Sequence, residues 1–412
     1  MKGLDTIKKT LKNNTMIFIL IAVAVFFEVL IEFAGKGSLL SPSNVTNIIN
    51  QNAYVVILAT GMLLCILTGG NIDLSVGSIV CLVGAVAGTF IINLGFPVLP
   101  TILLCLIVGL LVGAWHGFWI AFVHIPPFIC TLSGMLLWRG VSLLILNGMT
   151  ISPFPQKYMN IFASYLPNLF LQQATEEMDD DLYWSIIEKN ERITFIVTII
   201  VAIAICALII ALAIVGRISK KKKGYSVESK GSFIAKNAIL CVVIMALGVL
   251  LGKDQGIPIV LVLVAIIVIA YSYFTQNTVP GRYLYAIGGN VKAAKLSGIN
   301  TDKVMFFAYT NMGFLSGVAA LVVAARLNSA APTAGQNYEM DAIASCFIGG
   351  ASAYGGTGTV GGAVIGAIFM GILNNGMSIL GVDMNWQRAV KGLVLLLAVI
   401  FDVVSKKRKS SK

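Results

Sequence analysis

The sequence predicts an all-α polytopic membrane protein with about 12 transmembrane helices, one of them broken. Three observations lead there. Only 11% of the 412 residues are charged while 58% are hydrophobic, and the mean hydropathy is +0.90, a balance suited to lipid as solvent. Long apolar runs recur along the chain, and backbone amides that must be paired in hydrocarbon turn such runs into helices. Basic residues are clustered, with 20 of the 29 lysines and arginines in residues 1–14, 216–237, 275–303 and 402–412. Basic loops alternating with apolar stretches follow the positive-inside rule, so the net charge of +11 reports topology and argues against a nucleic-acid partner.

In chain order, the first apolar run, Met16 to Phe27, follows Lys2, Lys8, Lys9 and Lys12. Glu28 and Glu32 stand where a signal peptide would carry small cleavage-site residues, so an uncleaved span over 15–33 is expected. Further runs long enough to cross about 30 Å lie near 45–68, 76–95, 98–123, 126–147, 193–215, 238–252, 257–274, 304–325, 360–380 and 385–404. The shorter 341–352 is expected to cross as a broken helix. Threading from a cytoplasmic N-terminus puts 216–237, 275–303 and the C-terminal tail inside and 148–192 outside. The chain then divides into an N-terminal membrane half (1–147), an insertion (148–252), a C-terminal membrane half (253–404) containing the basic segment 281–303, and a basic cytoplasmic tail (405–412). The insertion holds an acidic external loop (Glu176, Glu177, Asp179, Asp180, Asp181, Glu188, Glu191), two extra helices and a loop with Lys220 to Lys223. Both charged stretches read first as solvated loops, the basic one beside anionic lipid headgroups, with docking of an external partner as the sharper reading of the acidic one.

All seven cysteines sit inside apolar stretches without CxxC pairing, as small core residues do. His116 and His124 are read as packing or interfacial groups, with a proton relay as the alternative.

Three segments carry more specific information. Thr68 to Ser78 (TGGNIDLSVGS) joins two spans, and its Asp73 and Ser75 suit the amide donors that open a helix, or else, with Asn71, face a translocation pathway. Ile348 to Gly362 is glycine-rich but lacks the Lys-Ser or Lys-Thr of a P-loop, so a broken helix lining a cavity is expected there. One such segment in each half suggests inverted repeats. In Gly281 to Lys303, Asn290 is placed to cap a short helix through Leu296 that Gly298 ends. Such a helix, presenting Ala293 and Ala294 with Lys292 and Lys295 as a polar rim, suits either a docking groove on another protein or an ordinary amphipathic loop.

These segments, GGNIDLSVGS, GRYLYAIGGNVKAAKLSGIN, ARLNSAAPTAGQNYEMDAIA and IGGASAYGGTGTVGG, with LNNG at 373–376, resemble the permease family of ribose-, galactose- and xylose-type ABC importers. The resemblance covers most of 45–147 and nearly all of 257–404, and the extra helix pair at about 193–252 is similar to the longer xylose and multiple-monosaccharide branch. It implies a permease subunit of the bacterial cytoplasmic membrane, with both termini cytoplasmic, importing a pentose or hexose such as xylose, arabinose, ribose or galactose. It also implies that Asn290, Lys292, Ala293, Ala294, Lys295, Leu296, Ser297 and Gly298 form a coupling helix fitting an ATPase subunit. Further implied partners are an extracytoplasmic sugar-binding protein and a second permease copy; ATP would be bound by the ATPase, and this chain would need no cofactor.

Among ionisable and amide groups, Arg139 is read as bracing the bundle through carbonyls or a carboxylate, and Glu339 and Asp341 as complementing a helix N-terminus. Asn374 and Asn375 suit a sugar or interhelical hydrogen bonds. With no catalytic triad or metal constellation in the sequence, a transport subunit is expected rather than an enzyme. The rival readings are an ion-gradient-driven secondary transporter, which shares broken glycine-rich helices, and a membrane enzyme acting on lipid.

Overall fold

A computed structural model describes residues 15–171, 179–225, 227 and 229–410. The basic cluster at 1–14 and Glu176 and Glu177 of the acidic stretch lie outside the described residues. The described residues form helices and no strand; their only bridges are the isolated pairs Ile151 with Ala330 and Tyr165 with Pro258. In order the α-helices are α1 Thr15–Phe33, α2 Pro42–Leu67, α3 Val76–Gly88, α4 Val98–Ala121, α5 Pro127–Leu146, α6 Gln156–Phe162, α7 Asp180–Lys222, α8 Lys230–Gly252, α9 Ile259–Asn277, α10 Val279–Gly289, α11 Val291–Leu296, α12 Thr301–Leu327, α13 Tyr338–Ile348, α14 Val360–Ile379 and α15 Met384–Ser410.

Ten of the described helices are long and apolar enough to cross a membrane. The other two expected crossings have different characters. α13 has 11 residues, about 16 Å of rise and so half a bilayer core, and stops at Gly349 before the glycine-rich loop. α15 has 27 residues but carries Arg388, Lys391 and Asp402 in its apolar stretch.

Two elements depart from the expected boundaries. The third span is α3 followed by a π-helical turn, Thr89–Asn93. α7 runs for 43 residues, about 65 Å, roughly twice the hydrocarbon thickness. It takes in Lys220, Lys221 and Lys222 as its last turn and Asp180, Asp181, Glu188 and Glu191 near its start, so these are not loop residues. Lysine is a good helix former, and cations at a helix C-terminus are stabilised by the peptide dipoles.

The described residues separate into two compact units, those within Met1–Leu39, Asn50–Ala163 and Val260–Lys412, and those within Leu40–Ile49 and Ser164–Ile259. In the smaller unit α7 and α8 pack through small residues, with Gly248 against Ala202, and Arg217 lies over the Phe233 ring at 4.7 Å. The larger unit has its core in α2, α3 and α12. Their apolar windows are 78%, 72% and 72% buried within the chain, against 11% for α1 and α9. Interior spans surrounded by apolar spans that face outward are the arrangement lipid requires.

The tightest helix pair is α4 on α12. Gly109, Gly113 and Gly117 recur every fourth residue on α4; the first two lie against the Gly313 and Gly317 stretch of α12 and the third against Phe306. A Cβ at Gly313 would lie 2.4 Å from the Gly109 carbonyl oxygen, so the two backbones touch. Without a hydrophobic driving force in lipid, such small-residue seams gain dispersion contacts and hold helices together. The cysteines serve as small interior residues: six of seven are buried, and the Cys346 thiol donates to the Ala59 carbonyl at 3.2 Å. At the end of α1, Glu28 accepts from Ser38 Oγ (2.6 Å) and Leu39 N (2.7 Å), fixing the turn that follows.

Candidate functional site

The short helix α11 is built by its caps. Asn290, with extended backbone, accepts a hydrogen bond on Oδ1 from Ala293 N at 3.0 Å. Gly298 ends the helix at φ +82°, a left-handed conformation that glycine adopts without strain, and Ile299 N returns to the Ala294 carbonyl at 3.1 Å. Of the residues singled out from sequence, Ala294 points inward and is 5% exposed, whereas Ala293 is exposed and Leu296 is 90% exposed. A leucine presented this fully, beside a half-exposed Val291 and flanked by Lys292 and Lys295, is an apolar contact with a basic rim.

Behind α11, α10 is pressed against the end of α2 and the loop between α13 and α14. A Cβ at Gly288 would lie 1.9 Å from the Leu67 carbonyl oxygen and 2.3 Å from Gly356 N, two groups hydrogen-bonded to each other at 3.1 Å. The Tyr285 hydroxyl donates to the Gly358 carbonyl at 3.0 Å, and burial pushes this phenol above its ordinary pKa, which keeps it a donor. Gly70 and Gly355 close the arrangement: a Cβ on Gly70 would meet the Ala353 carbonyl at 1.9 Å, and one on Gly355 the Gly69 backbone at 2.5 Å. The three sequence segments thus meet in one junction of backbone on backbone, joining α10 to the end of α2 and to the loop between α13 and α14.

Just beyond the junction, Asp73 is fully buried. Its Oδ1 accepts from both the amide (2.9 Å) and the hydroxyl of Ser75, a local turn ahead of α3; the Ser75 side chain itself caps nothing. Ser75 Oγ lies 3.5 Å from His116 Nδ1, so a buried polar chain links the α2–α3 connection to α4. Asn71 donates to Thr68 Oγ1 at 3.2 Å. Asn374 and Asn375 lie on α14, where the Asn374 carbonyl accepts from Ser378 Oγ at 2.8 Å.

Beside the middle of α2 and the first turn of α13 lies a recess of about 780 Å³, which sequence reasoning did not find. Asp341, 2% exposed, pairs with Lys391 of α15 at 2.9 Å and accepts from the Tyr54 hydroxyl of α2 at 2.8 Å. Its role is therefore a three-helix tie as well as a favourable charge in the first turn of α13. Tyr54 stacks on Tyr338 with ring centroids 3.8 Å apart. Glu339 is buried in the same turn, and Arg139 donates through Nη1 to the Pro332 (3.2 Å) and Ala334 (2.6 Å) carbonyls, bracing the loop that leads into α13.

The family described as "Branched-chain amino acid transport system / permease component" matches residues 44–201 and 182–399. The chain belongs to this permease family. The matched residues of the permease include both glycine segments, α10–α11 and the recess. Among its relatives, the xylose transport system permease protein of Escherichia coli is 36% identical over 395 residues, 96% of this chain and 93% of that protein. Its Haemophilus influenzae counterpart is 37% identical over 399 residues, 96% and 98% of the two chains. The ribose import permease protein of E. coli is 32% identical over 370 residues, 89% and 88%. No solved structure matches the permease.

Proposed function

We propose that this permease is the membrane subunit of an ATP-driven importer of a monosaccharide, a pentose or hexose of the xylose and ribose class. The observation that carries the reading is the junction: an exposed short helix, suited to a partner's groove, is braced through α10 against the end of α2 and the α13–α14 loop. The names of relatives aligned over nearly the whole chain favour sugars over the amino acids of the family's description, and a transport-system component over an ion-gradient carrier.

In this reading a separate ATPase subunit receives Leu296 and its neighbours, binds all the ATP, and closes on it. The displacement passes through α10 to α2 and the α13–α14 loop, and the membrane helices of two paired permease copies change the side to which the path opens. An external binding protein delivers the sugar, the basic loops and both termini face the cytoplasm, and no cofactor is held by this chain. Co-reconstitution with the ATPase and binding protein is expected to give ATP-dependent uptake of D-xylose or D-ribose. Uptake by the permease alone under a proton or sodium gradient would overturn this.

A further inference from the structure

A displacement arriving at the glycine junction must change something along the sugar's path, and two helices lead to it. α2 ends at the junction at Leu67 and carries the recess residue Tyr54 at its middle, while α13, which leads into the junction loop, carries Asp341 in its first turn. At about 1.5 Å per residue, Tyr54 stands roughly 20 Å along α2 from Leu67.

We propose that the recess between α2, α13 and α15 is a monosaccharide site on the transport path, with Tyr54 and Tyr338 as its aromatic wall and Gln336, Asn337, Asp341 and Lys391 as its hydrogen-bonding groups. The assignment rests on the transport reading above and adds to it a place and a set of contacts.

Size, chemistry and rigidity support it. The recess of about 780 Å³ falls within the range of about 300–1,000 Å³ in which small-molecule sites lie. A sugar ring offers apolar C–H faces and hydroxyl edges that both donate and accept, and the wall supplies flat aromatic surface together with amides, a carboxylate and an ammonium. Lys391 and Asp341 neutralise each other at 2.9 Å, which suits an uncharged ligand; Arg388 lines the rim, where its Nη2 contacts the Met384 sulfur at 3.7 Å.

The amide-bearing segment is also held firmly. Arg139 grips the Pro332 and Ala334 carbonyls, and Gly335 lies so close to α3 that a Cβ would come within 2.0 Å of the Gly77 oxygen. Asn337 follows in the left-handed region at φ +63°, an uncommon conformation for a residue with a side chain. Its side chain makes no capping bond to α13 although it stands at the N-cap, and both Gln336 and Asn337 are exposed. The held backbone places both side-chain amides in the lining of the recess, and no capping bond occupies that of Asn337.

The test uses the full chain, co-reconstituted with its ATPase and binding protein. Gln336→Cys is labelled with a maleimide, with the exposed Tyr354→Cys as the control; six of the seven native cysteines are buried, which keeps the background low. D-xylose and D-ribose, each at about four times its dissociation constant, are expected to slow labelling at position 336 by roughly fivefold and to leave position 354 unchanged. Asn337→Gly, which keeps the left-handed backbone and removes the amide, is expected to lower the sugar moved per ATP by roughly fivefold with ATP hydrolysis within about twofold. Unaltered labelling in a complex that imports these sugars, or an Asn337→Gly complex that moves as much sugar per ATP as the parent, would overturn the site and leave the transport reading standing. Protection by L-leucine in place of the sugars would overturn the sugar class. Absence of ATP-driven sugar uptake by the parent complex would overturn the transport reading, and this assignment with it.

Discussion

Gly288 and Gly289 are neighbours at the end of α10, and the junction gives them opposite fates. A methyl at Gly288 would sit 1.9 Å from the Leu67 oxygen, whereas one at Gly289 would meet nothing within 4 Å. Carbon and carbonyl oxygen rest at about 3.3 Å or more, so Gly288→Ala must part the backbones by about 1.4 Å. The neighbours that have to give are peptide groups and not flexible side chains, so relief by a change of rotamer is closed. The shift also strains the 3.1 Å bond from Gly356 N to the Leu67 oxygen, which the new methyl would crowd at 2.3 Å from the nitrogen. Overpacking costs about 1–3 kcal/mol and the hydrogen bond about 1 kcal/mol, so about 2–4 kcal/mol in all. Placed wholly on the step that reorients the membrane helices, that cost slows transport by roughly 30- to 1,000-fold. Gly289→Ala is expected to be neutral or to gain a few tenths of a kcal/mol from helix propensity. The assay is ATP-driven sugar uptake per copy of permease inserted, in liposomes holding the whole complex. Uptake by Gly288→Ala within about twofold of the parent, or equal damage from the two alanines, would refute the reasoning.

Leu296→Asp leaves the fold intact because the side chain is 90% exposed, yet it is expected to weaken co-purification of the ATPase by at least about tenfold, as loss of a central apolar anchor does. Ala294→Leu overfills an inward position and is expected to lower the thermal midpoint in detergent by the equivalent of about 1–3 kcal/mol, while Ala293→Leu leaves that midpoint alone and weakens ATPase association. Lys391→Met strands the buried Asp341 carboxylate and is expected to cost about 3–5 kcal/mol, whereas the double variant with Asp341→Asn recovers most of it; thermal melts of the four combinations measure the coupling.

Hydropathy and charge placement made the helical membrane architecture readable, because lipid leaves the backbone few options. The caps of α11 were legible for a similar reason: an asparagine before a short run and a glycine after it are local chemistry, complete within nine residues, 290–298. The junction was not. Its contacts are between peptide groups far apart in sequence, and the only trace each leaves is a glycine, which equally marks a turn. Nor was the recess, since Tyr54, Tyr338 and Lys391 each sit in a helix where an aromatic or a lysine is unremarked, and only the packing of α2, α13 and α15 brings them together. Asn374 and Asn375 drew attention as amides in an apolar helix, and neither is among the residues that line the recess. The inward turn of Ala294 was hidden because two adjacent alanines on a six-residue helix look alike until the neighbouring elements are in place.

A joint made of peptide planes behaves differently from one made of side chains. Side chains hop between rotamers, so a push applied through them is partly absorbed before anything beyond them moves. The contacts of Gly288 with Leu67 and Gly356, and of Gly70 with Ala353, have no torsions to spare. A small displacement of α10 would therefore be handed on with little backlash, as through a keyed shaft, to α2 and the α13–α14 loop.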